Sequence, residues 1–210
     1  MRPTLLPLLF LLTVSTITLL GEARPDPVFD TSGKKVRVGI EYYILPAFRG
    51  CGGGLTLASI NANNPQFVVQ KQHELLKGLP VTFARSDGKE IIRTSTDLNI
   101  QTSAQTTCVQ SNVWRLKDLT GVWFVSANGV AGNQGDETIV NWFKIERADG
   151  FYNDYYISFC PTVSEAQTLC RQLGIYTDEN GQRHLALSDD IPPFRVVFQR
   201  ATDLSSSRCF

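Results

Sequence analysis

Short runs of β-branched and aromatic residues, each closed off by a turn cluster, recur along nearly the whole chain. Val36-Arg37-Val38-Gly39-Ile40 alternates and continues through residues 41–45. Phe67-Val68-Val69, Val81-Thr82-Phe83, Ile91-Ile92, Val113-Trp114-Arg115-Leu116, Val122-Trp123-Phe124-Val125, Trp142-Phe143-Lys144-Ile145, Tyr155-Tyr156-Ile157-Ser158-Phe159, residues 184–187 and residues 194–198 follow. Side chains branched at Cβ, or flat, pack well on a pleated surface. Between the runs stand Thr31-Ser32-Gly33, residues 50–54, residues 61–65, Ser86-Asp87-Gly88, Asn128-Gly129, Ala148-Asp149-Gly150 and Glu179-Asn180-Gly181, rich in the residues that turns require. Strands at roughly 8–12-residue spacing predict an all-β sandwich or barrel. Residues 70–77 could pass for a short helix, but Gly78 and Pro80 stop it. Tyr42-Tyr43-Ile44-Leu45 recurs in character as Tyr155-Tyr156-Ile157-Ser158. Three units of about 62 residues would fit the chain, although tyrosine-rich strands also look alike by composition alone.

The 210 residues carry 20 Lys+Arg against 20 Asp+Glu, with 42% hydrophobic side chains. That balance excludes a disordered charged tail and gives no basic excess for nucleic acid. The G-x-S-x-G, H-E-x-x-H and G-x-x-x-x-G-K-[ST] signatures are missing. Gly50-Cys51-Gly52-Gly53-Gly54 superficially resembles a phosphate loop, but Leu55 occupies the place of the final glycine, so a flexible hairpin loop is expected. His73 and His184 read as surface histidines, and Asp189-Asp190 as a solvated turn. No C-x-x-C occurs and the two histidines are far apart, so neither a metal nor a cofactor is expected. A binding protein, not an enzyme, is the leading class.

The first residues stand apart. Arg2 precedes an almost wholly apolar or small stretch over residues 5–20, and Gly21-Glu22-Ala23 places small residues before a cleavage point. This predicts a secretory signal peptide, residues 1–23, leaving 24–210 as one domain. The apolar run is shorter than the ~20 residues that span a bilayer, so no membrane anchoring is expected. Secretion makes disulfides the default for Cys51, Cys108, Cys160, Cys170 and Cys209, with one left over.

The residues carry a resemblance. Val28-Phe29-Asp30-Thr31-Ser32-Gly33-Lys34-Lys35-Val36 with Tyr42-Tyr43-Ile44-Leu45-Pro46-Ala47 resembles the N-terminal signature of the plant Kunitz (soybean trypsin inhibitor type) family. The likeness runs on through Arg49-Gly50-Cys51-Gly52-Gly53-Gly54-Leu55, Val68-Val69-Gln70, Ser95-Thr96-Asp97-Leu98-Asn99-Ile100, Val113-Trp114-Arg115-Leu116, Asn141-Trp142-Phe143-Lys144-Ile145-Glu146, Phe159-Cys160-Pro161-Thr162-Val163 and Leu185-Ala186-Leu187-Ser188-Asp189. It is nearest the miraculin-like branch. The resemblance implies a β-trefoil: a six-stranded barrel capped by three hairpins, with pseudo-three-fold symmetry. It also implies a secreted (apoplastic) or vacuolar plant defence protein that inhibits proteases, serine endopeptidases of trypsin type foremost. The alternatives are inhibition of cysteine proteases, or a non-inhibitory storage, stress or binding role.

In that family an exposed loop enters the protease, and here it corresponds to Arg85, Ser86, Asp87, Gly88, Lys89 and Glu90, with Ala84 before them. Ungapped alignment puts Gly88 at the position that enters the S1 pocket, with Arg85 and Lys89 able to serve in a shifted register. The family's bracing asparagine is replaced by Val38, and Asp87-Gly88 resembles a tight turn. The resemblance pairs Cys160 with Cys170. The usual partner of Cys108 is Asn64 here, so Cys51–Cys108 is the expected second bridge. Cys209 would then be free, in a monomer, or join a disulfide-linked dimer.

Overall fold

The computed structural model describes residues 25–59, 66–103, 111–119, 121–150, 152–165, 169–187 and 189–201. The expected signal peptide therefore lies outside the described residues, as do Cys108, Cys209 and residues 61–65.

Thirteen strands and one 3-10 helix occur among the described residues. They are β1 (Tyr42–Pro46), β2 (Leu55–Ser59), β3 (Gln66–Gln70), β4 (Val81–Arg85), β5 (Leu98–Thr102), β6 (Arg115–Leu119), β7 (Val122–Ser126), β8 (Lys144–Arg147), β9 (Tyr155–Phe159), β10 (Arg171–Gln172), β11 (Gly174–Thr177), β12 (Arg183–Leu187) and β13 (Arg195–Arg200). The helix, Asp136–Asn141, precedes β8.

Two closed arrangements account for nearly all of them. β1 pairs with β13 and β4, β4 with β5, β9 with β8 and β13. Leu98 at the start of β5 exchanges both backbone bonds with Phe143 just before β8, 2.9 Å each way. These six strands therefore form a ring. The other arrangement is a triangle of hairpins, β2–β3, β6–β7 and β11–β12, joined by β12–β3, β12–β7 and β3–β7 pairings. Barrel strand, cap hairpin, barrel strand is repeated three times, starting at Tyr42, Leu98 and Tyr155. This is a β-trefoil, and the tyrosine repeat marks two of its three units.

Alternation sets which side chains fill the barrel. Tyr42 and Ile44 of β1, Val81 and Phe83 of β4, and Val196 and Phe198 of β13 point inward and are buried, as a period of two requires. Phe83 packs edge-on against Phe198 at 5.5 Å, and Trp114 against Phe143 at 6.3 Å. The buried indole N–H of Trp114 donates to Thr102 Oγ1 at 2.9 Å, which avoids the cost of an orphaned donor. Tyr42 and Tyr155 are spent in the same way. Their hydroxyls accept the Arg37 and Phe29 backbone N–H groups, and burial pushes both phenols above their ordinary pKa.

Three local expectations change. Residues 36–40 do not form a strand: Gly39 has φ +72°, which breaks the run and leaves only isolated bridges at Lys35 and Arg37. Residues 70–77 are not a helix but finish β3 and enter a turn in which Leu76 N–H meets the His73 carbonyl. The glycine segment is not a flexible hairpin loop. Gly52, Gly53 and Gly54 are buried, and a Cβ on Gly53 or Gly54 would collide with the carbonyls of His73, Leu76 and Lys77. Glycine is needed there for close backbone approach.

Candidate functional site

The loop over residues 84–90 leaves the barrel at the end of β4. Its first residues are fixed by the β4–β5 ladder, where Ala84 faces Asn99 and Arg85 faces Leu98. Its far end is fixed by the N-terminal segment: Val38 N–H donates to the Glu90 carbonyl at 2.7 Å, and Ile92 N–H to the Val36 carbonyl at 3.0 Å. Val38 thus helps through its backbone, while its side chain packs on the core.

Between these ends the loop is braced from within. The Arg85 guanidinium donates from Nε to Asp87 Oδ1 at 2.7 Å and from Nη2 to Oδ2 at 2.5 Å. Its Nη1 donates to the Ile91 carbonyl at 2.5 Å. A bidentate arginine–carboxylate pair is among the stronger charge-assisted contacts. One side chain therefore ties the start, the middle and the end of the loop together. Asp87 Oδ1 also accepts the Lys89 N–H at 3.2 Å. The hydrogen bond from Arg85 holds the Asp87 carboxyl far below the usual carboxylate range, against the opposing effect of burial.

This geometry separates the two basic candidates. The Arg85 side chain is only 4% exposed and is committed to the brace. Lys89 is 73% exposed, with one ion pair to Asp87 Oδ2 at 3.3 Å. Gly88 is exposed at φ +66°, and its N–H approaches the Arg85 carbonyl at 3.4 Å. The expected tight turn is therefore present. Asp87 is the residue that sequence reasoning undervalued, although Arg85-Ser86-Asp87-Gly88 carries the signal: an acceptor two residues beyond an arginine, followed by glycine.

A second cluster lies against the loop's base. Asp97, whose carbonyl receives Ser86 N–H at 3.5 Å, accepts the Thr162 N–H at 3.1 Å and its hydroxyl at 2.5 Å. Lys144 Nζ stands 3.3 Å from Thr162 Oγ1 and 4.0 Å from Asp97 Oδ1, almost wholly buried. Thr162 lies inside the segment closed by the Cys160–Cys170 disulfide, which forms as expected; closing so short a loop contributes about 2–3 kcal/mol.

The Cys51–Cys108 expectation is corrected in part: Cys51 carries a free, exposed thiol, and Cys108 lies outside the described residues. The Cys51 carbonyl is held by Gln70 Nε2 at 2.8 Å and Arg183 Nη2 at 3.1 Å. His73 is on the surface as expected. His184 is not: it is 2% exposed, between Phe67 and Phe124, with Nε2 3.0 Å from Asp178 Oδ2.

Residues 28–200 match the legume Kunitz family, described as trypsin and protease inhibitors. The chain belongs to the Kunitz family. Kunitz trypsin inhibitor 5 of Arabidopsis thaliana is 43% identical over 185 residues, covering 86% of this chain and 88% of the relative. Miraculin of Synsepalum dulcificum is also 43% identical, over 193 residues and 86% of each chain. Among solved structures, soybean trypsin inhibitor superposes on this Kunitz chain with a TM-score of 0.68 at 26% identity, over 84% of this chain and all of that one. The family resemblance and the trefoil read from sequence both stand.

Proposed function

We propose that this Kunitz protein inhibits a serine endopeptidase of trypsin-like specificity, and that Lys89 is the side chain entering the S1 pocket. One observation carries the reading: Lys89 is an exposed basic residue on a loop anchored at both ends and braced internally by Arg85. A rigid loop loses little ordering entropy on binding, and a long basic side chain suits an S1 pocket with an aspartate at its base. The protein is made with a signal peptide ending near Ala23, works outside the cell or in the vacuole as a monomer without a cofactor, and serves defence.

The turn at Asp87-Gly88 favours a second reading, a binding or storage protein that inhibits nothing, because proteases read extended backbone. Titration of the mature protein against trypsin, chymotrypsin, subtilisin and papain decides. Trypsin inhibition weakened about 100-fold or more by Lys89→Ala, the scale of an interface hot spot, supports the first reading. Failure of the folded protein to inhibit any of the four overturns it, and inhibition of papain alone moves the site to another loop.

A further inference from the structure

A cleft of about 490 Å3 opens between the N-terminal turn, the end of β1 and the turn before β9. Two aromatic side chains flank it and remain open to solvent, Phe48 at 54% and Tyr152 at 76%. Large aromatics left exposed together around a concavity are unusual on a monomer's surface and mark binding sites. Beneath them lie two carboxylates, Asp30 and Asp154, both almost fully buried. Asp30 Oδ1 is committed to the backbone N–H groups of Ser32 and Lys34, at 2.8 and 2.9 Å. Asp154 is different. Its Oδ2 stands 3.0 Å from Arg195 Nε, while its Oδ1, closed off from solvent, accepts no hydrogen bond among the described residues. A buried carboxylate oxygen without a donor is costly and calls for an explanation.

The cation that such a site would attract is already supplied by the protein. The Arg195 guanidinium pairs with Asp154 and lies 5.3 Å from the centre of the Phe48 ring and 6.0 Å from that of Tyr156. The cleft therefore suits a neutral ligand with an apolar face to lie on aromatic rings and hydroxyl groups around its edge. Thr31 and Asn153, at the rim, can both donate and accept. A pyranose ring has these properties: axial C–H groups on one face, hydroxyls around its edge. The volume lies within the range of small-ligand pockets.

We propose that this cleft is a saccharide-binding site, with Tyr152 and Phe48 as the stacking surfaces and Thr31 and Asn153 as the hydroxyl partners. None of its residues belongs to the 84–90 loop, so it stands or falls independently of protease inhibition. A glycan-binding surface would let the protein attach to a glycosylated target or cell-wall polymer while its loop remains free.

The test is saturation-transfer NMR on the mature protein with the methyl glycosides of glucose, mannose, galactose and N-acetylglucosamine at millimolar concentration. Transfer to the ring protons of at least one is expected, with affinity reduced about tenfold in Tyr152→Ala, the scale of a lost aromatic contact. Near-UV circular dichroism verifies that this surface variant is folded. Asn153→Ala, also at an exposed position, should weaken binding further. No transfer from any of the four sugars, equal transfer in Tyr152→Ala, or binding of choline in place of the sugars overturns the proposal.

Discussion

The 85–90 loop and the turn between β11 and β12 are built on the same plan and end with opposite roles. In each, an aspartate accepts backbone N–H groups just ahead of it: Lys89 for Asp87, Asn180 and Gln182 for Asp178. In each, a glycine at positive φ completes the turn, Gly88 at +66° and Gly181 at +78°. In each, the second carboxylate oxygen meets a nitrogen side chain, Arg85 or His184. Arg85 is tied back onto its own loop, which leaves Lys89 on the surface. His184 is sealed among Phe67 and Phe124, with Tyr176 edge-on to Phe124 at 5.5 Å, and it ties the hairpin into the cap. One plan presents a loop; the other closes a core. Both partners are buried; what differs is whether they are tied back onto their own loop, as Arg85 is to the Ile91 carbonyl, or packed among aromatic rings, as His184 is.

The largest way to break the comparison is Asp178→Ala. It strips two backbone donors and a buried imidazole of their acceptor, and should cost about 2–4 kcal/mol in urea denaturation. A loss under about 1 kcal/mol would mean the cap does not depend on the carboxylate. Asp87→Ala should cost less, about 1 kcal/mol, because that carboxylate is a third exposed and solvent screens the pair. Its signature lies elsewhere: the loop loses its brace, and the bond after Lys89 should be cut by trypsin at least about tenfold faster than in the parent protein. Mass spectrometry of timed digests measures this.

Acid sharpens the contrast. Burial pushes the Asp178 carboxyl up, but hydrogen bonds from His184, Gln182 and Asn180 outweigh it and hold it below the ordinary value. Asp87 lies lower still, through Arg85. A depressed carboxyl contributes stability that is complete above its unfolded pKa and is lost as pH falls through its folded one. On acid titration the amide signals of Asn180 and Gln182 should therefore move before that of Lys89. The reverse order would refute the assignment of Arg85 as the stronger partner. The smallest effect is expected from Glu90→Ala, which removes the exposed Arg37–Glu90 pair. It should change stability by no more than about 0.5 kcal/mol.

The barrel was legible because its strands alternate in sequence as they alternate in space. Tyr42 and Tyr155 gave away two repeats because both occupy the same place in their units. The third start, Leu98-Asn99-Ile100-Gln101, escaped as a strand by composition because it has no tyrosine. His184 was misread as exposed since Arg183 stands beside it. Its burial comes from pairing with β3, β7 and β11 at once, which no local pattern encodes. Arg85 shows the same limit: its spacing to Asp87 is visible, but its reach to the Ile91 carbonyl depends on where the loop returns.

The position of β13 has a consequence for how the protein is made. This strand lies between β1 and β9, so during synthesis the first barrel strand can meet β4 early but must wait for residues 195–200 before its other neighbour exists. The cap hairpins can form as they emerge from the ribosome, but the barrel cannot. Contacts between such distant segments fold slowly, and a chain stopped before Arg195 would leave β1 paired only with β4, and β9 only with β8 and β10. Synthesis of β13 is in effect the step that permits the barrel to close.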